Sequence, residues 1–142
     1  MDRHDRIEQR LAEVPLFADL SKKELRTIAQ LATYLEEPAG AVLTAEGASG
    51  NEFIIVLDGE VEVRQGDKVV AERGPGDFFG EIALLDNRPR TATVVAKTPV
   101  QIEVIGRQEF SGMLAEVPEL AGKLMATMAQ RLADLESSAS QN

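Results

Sequence analysis

Residues 52–71, EFIIVLDGEVEVRQGDKVVA, place two turn signals between three runs rich in valine and isoleucine. Asp58-Gly59 and Gln65-Gly66-Asp67 are hairpin-type connections in which glycine supplies a positive φ. Between them Glu60-Val61-Glu62-Val63 alternates with the two-residue period of a strand, so Val61 and Val63 face one side and the glutamates the other. The same texture runs outward from Ala41 to Gly106, where short runs of Val, Ile and Thr are separated by EGASGN, DGE, QGD, GPGD and DNRPR. About eight short strands at this spacing predict an all-β sandwich or barrel.

Helical periodicity flanks this region. Residues 3–13 form a charged, weakly amphipathic helix with Ile7 and Leu11 on one face. After the apolar elbow Val14–Leu20, the sequence Ser21-Lys22-Lys23-Glu24 is a capping box, which opens a helix expected to reach Tyr34 and to bury Leu25, Ile28, Ala29 and Leu31 or Ala32. Beyond Arg107 come a short helix to about residue 115 and, opened by Pro118, a longer one to about Glu136. Leu120, Leu124, Met128, Leu132 and Leu135 form its apolar stripe, and SSASQN at the end is expected to fray.

Composition limits the function classes. A chain of 142 residues is long enough for one self-sufficient core, and 44% hydrophobic with 27% charged residues is ordinary for a globular domain. The absence of cysteine excludes disulfides and thiolate chemistry. There is neither a 20-residue apolar segment nor an apolar signal region behind the charged start MDRHDRIEQR, so a cytoplasmic protein without a membrane span is expected. A net charge of -9 opposes nonspecific nucleic-acid binding.

The strand-rich region is interrupted at residues 74–94, GPGDFFGEIALLDNRPRTATV. The run from Gly80 to Leu85 is too short for an independent helix, so packing or a ligand must hold it. A helix N-terminus presents unpaired N–H groups and partial positive charge, and a glycine there lets a phosphate approach the backbone. Glu81 alone reads as a first-turn glutamate favoured by the helix dipole. Beside a phosphate site it makes sense if the ligand also carries a hydroxyl, such as a ribose 2′-OH, because an ionised carboxylate only accepts hydrogen bonds. Arg90 alone reads as a solvated loop arginine. Following Pro89 and leading into the β-prone Thr91-Ala92-Thr93-Val94, it could instead be held to grip two oxygens of one phosphate.

Taken together, FGEIALLDNRPRTATV (79–94) resembles the phosphate-binding cassette of cyclic-nucleotide-binding domains, found in catabolite-activator-type regulators, cyclic-nucleotide-dependent kinases and gated channels. VPLFADLSKKEL is similar to that family's N-terminal helical motif, and EGASGNEFIIVLDGEVEV to its paired strands, so the likeness covers about residues 10–135. The resemblance implies a mainly β fold with flanking helices, a double-stranded β-helix or jelly roll closed by a C-terminal lid helix. One domain over 1–142 is expected: N-terminal helices in 1–36, a β-roll in 40–106 containing the cassette, and hinge and lid helices in 107–137. Glu81 would accept the ribose 2′-OH, and Arg90 with the N–H groups of Ile82 and Ala83 would hold the cyclic phosphate. Gly80 would permit close approach, and Thr91 or Ala92 would touch phosphate or base. Val63, Val70 and Ala71 would line the purine pocket, although each also reads as ordinary strand core. Arg131 sits where some family members cap the base, or else lies on a solvated helix face.

The function implied is a non-enzymatic cyclic-nucleotide receptor, cAMP ahead of cGMP, that signals by lid-helix closure to a protein effector or through a homodimer formed by the helices. Thr91 leaves the base open, since threonine there occurs in cGMP-selective and in cAMP-binding relatives. Neither a metal nor a catalytic group is expected. The single histidine, His4, cannot build the histidine-rich metal site of cupins, which share the double-stranded β-helix, and no nucleophile–base pair is evident. The alternative is a degenerate member of the family that serves as a protein-interaction module without ligand.

Overall fold

The computed structural model describes residues 3–48, 52–80, 90 and 92–140. Helix α1 (Arg3–Ala12) is followed by a 3-10 turn (Pro15–Phe17) and α2 (Lys22–Leu31). Eight strands follow among the described residues: β1 (Thr33–Glu37), β2 (Val42–Thr44), β3 (Glu52–Asp58), β4 (Val61–Gln65), β5 (Lys68–Arg73), β6 (Phe78–Phe79), β7 (Thr93–Ala96) and β8 (Val100–Gly106). Helices α3 (Arg107–Glu116) and α4 (Glu119–Ser140) complete the chain. The strands form two four-stranded antiparallel sheets, ordered β1-β8-β3-β6 and β2-β7-β4-β5, which with the flanking helices make a jelly roll.

Strand β3 explains why the first sheet sits at the centre. Its residues from Phe53 to Leu57 are all buried, because the strand is covered on both faces. Phe53, Ile55 and Leu57 join Ile105 of β8 against Leu11, Phe17, Leu25, Ile28, Phe110, Met113, Leu120 and Leu124 of the helical layer. Ile54 and Val56 turn the other way and pack with Val61, Val94, Ala96, Val100, Ile102 and Val104 between the sheets. A strand with one wet face would alternate; EFIIVLD does not, and its continuous apolar run is the mark of double burial.

The capping box forms as the sequence predicts: Glu24 N–H donates to Ser21 Oγ at 3.1 Å, and the Ser21 N–H donates to the Glu24 carboxylate at 2.9 Å. The helix it opens does not reach Tyr34. It ends at Leu31, Ala32 is extended, and Thr33–Glu37 pairs with β8, so the β-region begins inside the segment assigned to N-terminal helices. The β-branched Thr33 and aromatic Tyr34 suit a pleated edge better than a helix end, and pairing with the buried β8 outweighs the helical period. At the other end α4 runs through Ser140, past the expected stop at Glu136 and into the SSAS expected to fray.

Gly59 and Gly66 take the positive φ expected of the two hairpins, at 91° and 61°. Val61 is fully buried and Val63 packs against the inter-sheet core, as their alternation predicts. In α4, Leu120 and Leu124 are buried and Met128 is half-buried, whereas the side chains of Leu132 and Leu135 lie outside the described residues. Among the described residues no helix is long and apolar enough to cross a membrane.

Candidate functional site

The candidate site straddles the two sheets. Gly80 follows β6 at the edge of the first sheet, and Arg90 precedes β7 of the second. The Arg90 guanidinium crosses the gap and donates through Nη2 to the main-chain oxygen of Glu52, the first residue of β3, at 2.6 Å. Gly80 has φ 97°, and a side chain there would collide with that guanidinium and with the Glu52 carbonyl. Glycine is therefore needed on two counts, backbone conformation and the space occupied by the arginine.

The backbone of Arg90 is held as tightly as its side chain. Its N–H donates to Ala48 O at 2.8 Å, and its carbonyl accepts from Gly47 N–H at 2.8 Å. The next residues are tied to the same loop. Thr44 Oγ1 donates to Ala92 O at 3.2 Å, and Glu46 N–H donates to Thr93 Oγ1 at 2.9 Å. A solvated loop arginine would show none of this. Arg90 is half-buried, its main chain strapped by Gly47 and Ala48 and its cationic head fixed at a strand end.

Of the other expected residues, Ala92 is half-buried beside this strap. Val63 lies opposite Ala71 across β4 and β5, and opposite Val94 of β7, so Val63, Ala71 and the strand that follows Arg90 belong to adjacent positions of one sheet. Val70 falls at an irregularity of the β4–β5 register and is 45% exposed, so it is not ordinary strand core. Glu81, Ile82, Ala83 and Thr91 lie outside the described residues, as does the short helix expected from Gly80 to Leu85.

Arg131 is neither a solvated residue nor turned to open space. Its guanidinium stands 4.5 Å from the ring centroid of Phe78, and Nη2 donates to Phe78 O at 3.1 Å. Phe78 in turn packs on Phe53, with centroids 5.4 Å apart, and Phe53 on Phe110 of α3 at 5.0 Å. The C-terminal helices are thus joined to the strand that leads into Gly80. Phe78, Glu46 and the Glu52 carbonyl were not among the expected site residues. Within the sequence, FF reads as generic core, Glu46 as part of the turn EGASGN, and a carbonyl leaves no mark at all. Among the described residues no group of three His, Asp or Glu side chains is placed to hold a metal ion.

A jelly roll flanked by helices in this order is the architecture of cyclic-nucleotide-binding domains. The sequence matches the cyclic nucleotide-binding domain family over residues 35–117, and the chain belongs to that family. It is 41% identical over 112 residues to a cAMP-dependent protein kinase regulatory subunit of Aspergillus fumigatus, a match that covers 78% of this chain and 27% of the relative. Among solved structures it is similar to cAMP-bound PfPKA-R, with a TM-score of 0.79 and 27% identity, over 94% of this chain and 47% of that one. It is also similar to the regulatory subunit of a cAMP-independent protein kinase A from Trypanosoma brucei, with a TM-score of 0.75 and 31% identity, over 86% and 47% of the two chains. The chain therefore spans little more than a quarter of the curated relative it matches and about half of each solved chain.

Proposed function

We propose that the protein is a cytoplasmic, non-enzymatic cyclic-nucleotide receptor that takes cAMP in preference to cGMP. The observation that carries this reading is the fixation of Arg90: a guanidinium held at 2.6 Å from the Glu52 carbonyl, with its backbone strapped on both sides, directly behind Gly80. An arginine whose ordering is already complete loses little entropy on gripping a phosphate. Glu81 takes the ribose 2′-OH, the N–H groups of Ile82 and Ala83 complete the phosphate cradle, and Thr91 and Ala92 flank it. Val63, Val70 and Ala71 form the wall against the base, and the exposure of Val70 leaves apolar surface for a purine to cover. Family membership and likeness to a cAMP-dependent kinase subunit and to a cAMP-bound domain support the ligand.

Signalling then follows from the Arg131–Phe78 contact, since a nucleotide seated after Gly80 changes what the C-terminal helix packs against. Closure of that helix over the ligand, with Arg131 meeting the base, is the shifted state, read by a protein effector or a second copy through the helices. In a second reading the fold is an interaction module without ligand, and the likeness to a regulatory subunit described as cAMP-independent is a reason to test cAMP binding directly. Calorimetric titration with cAMP and cGMP decides between them. Saturable heat with cAMP, and weaker binding of cGMP, is expected. Absence of heat and of any thermal shift at millimolar nucleotide would sink the receptor reading and leave the interaction module.

A further inference from the structure

Glu46 occupies a position that its place in a surface turn does not suggest. Its N–H donates to Thr93 Oγ1, and its neighbours Gly47 and Ala48 carry the two main-chain bonds to Arg90. Its carboxylate points elsewhere: Oε1 accepts the N–H of Gly66 at 2.9 Å, at the tip of the hairpin that joins β4 to β5. The pairing of β4 with β7 ends at Arg64 opposite Thr93, so the tip from Gln65 to Lys68 projects beyond that ladder. Glu46 ties this projection back to the loop that straps Arg90.

We infer that Glu46 is a positioning residue for the nucleotide, setting the spacing between the phosphate-binding guanidinium and the hairpin that walls the base; this rests on the receptor reading above. One residue holds both sides: its main chain belongs to the Arg90 strap, and its side chain to the hairpin of Val63 and Ala71. The carboxylate oxygen gives the Gly66 N–H a fixed acceptor in place of water, a role that any side-chain carbonyl oxygen of the same reach can fill. Without it the hairpin tip is free to splay while Arg90 stays in place, and a ligand that must touch both meets a wider site.

The test uses the full 142-residue chain with Glu46→Ala and Glu46→Gln, cAMP calorimetry, and amide exchange at Gly66 followed by NMR. Glu46→Ala is expected to weaken cAMP binding about five- to tenfold, the range of one lost hydrogen bond, and to speed Gly66 exchange by a similar factor. Its melting temperature should fall by no more than about 5 °C, the shift that one lost hydrogen bond produces in a chain of this size. Glu46→Gln keeps an acceptor oxygen and should restore affinity to within about twofold. A general loss of structure would move the melting temperature further, not Gly66 alone. Parental affinity in Glu46→Ala, unchanged Gly66 exchange, or a Gln variant as weak as Ala would overturn the inference. If the parent chain itself binds no cyclic nucleotide, the receptor reading fails, and that result is distinct from a parent that binds and an Ala variant that binds equally.

Discussion

Arg90 is the residue on which the site turns, and its two attachments have different consequences. Removing the side chain takes away the Glu52 bond, a neutral carbonyl contact, and with it the countercharge on which the proposed phosphate site depends. Truncating one partner of a close charge pair costs about 2–5 kcal/mol of binding, so Arg90→Ala should weaken cAMP by about 30-fold or more in calorimetry. The fold should survive, because the strap on residue 90 uses backbone atoms that alanine retains. Binding at parental strength would place the phosphate elsewhere. Residue types announced Arg90: a Pro-Arg pair entering a β-prone run in an acidic chain is legible. Its anchor was not, because the Glu52 carbonyl is a backbone group that every residue possesses, and only the approach of β3 to the end of β6 selects this one.

At the scale of elements, α2 shows local chemistry and tertiary pairing acting at opposite ends. The capping box at its start is a matter of four consecutive residues, and Ser21→Ala should cost about 1 kcal/mol in chemical denaturation. The Glu24 carboxyl is held below its ordinary range, first by the hydrogen bond from the Ser21 N–H and next by a side-chain hydrogen bond with Glu119. Its folded pKa is depressed, so its contribution is present above the usual carboxylate range and is lost as pH falls through the folded value. The stability gap between the parent and Glu24→Gln should therefore narrow as denaturation is repeated from neutral pH down to about pH 3. A gap that stays constant would mean that the charged form of Glu24 has no part in the cap. The end of the same helix could not be read locally. Leu31, Ala32 and Tyr34 continue a plausible helical face, yet β8 offers residues 33–37 a full antiparallel ladder. That ladder is non-local, set by a strand about 70 residues away, and no window around Tyr34 contains it.

Across the whole molecule the helical layer and the roll share one aromatic spine, running from Arg131 through Phe78 and Phe53 to Phe110. It links the two C-terminal helices to the strand before Gly80. Arg131→Ala removes a cation–π contact and a hydrogen bond together, worth about 1–2 kcal/mol. Amide exchange in α4 should then rise by about tenfold while β3 and β8 keep their protection. Equal exchange in α4 would show that the helix does not depend on the Arg131 contact.

By itself the sequence determined the class of fold and the chemistry available to it. Glycine and aspartate turns at short intervals made β-structure, the capping box began α2, and the alternation of Glu60 to Val63 set which side of β4 turns Val61 and Val63 to the inter-sheet core, because each depends on neighbours within a few positions. The 79–94 stretch carried the resemblance to the cyclic nucleotide-binding family, whose model matches residues 35–117. What tertiary structure decided is everything that needs two distant segments to meet: the double burial of β3, the strand at Thr33–Glu37, the Arg90–Glu52–Gly80 junction, the seat of Arg131 on Phe78 and the reach of Glu46 to Gly66. Those contacts join residues from 10 to about 70 positions apart, and most of them end on a backbone group or a packed face, which residue identity alone does not record.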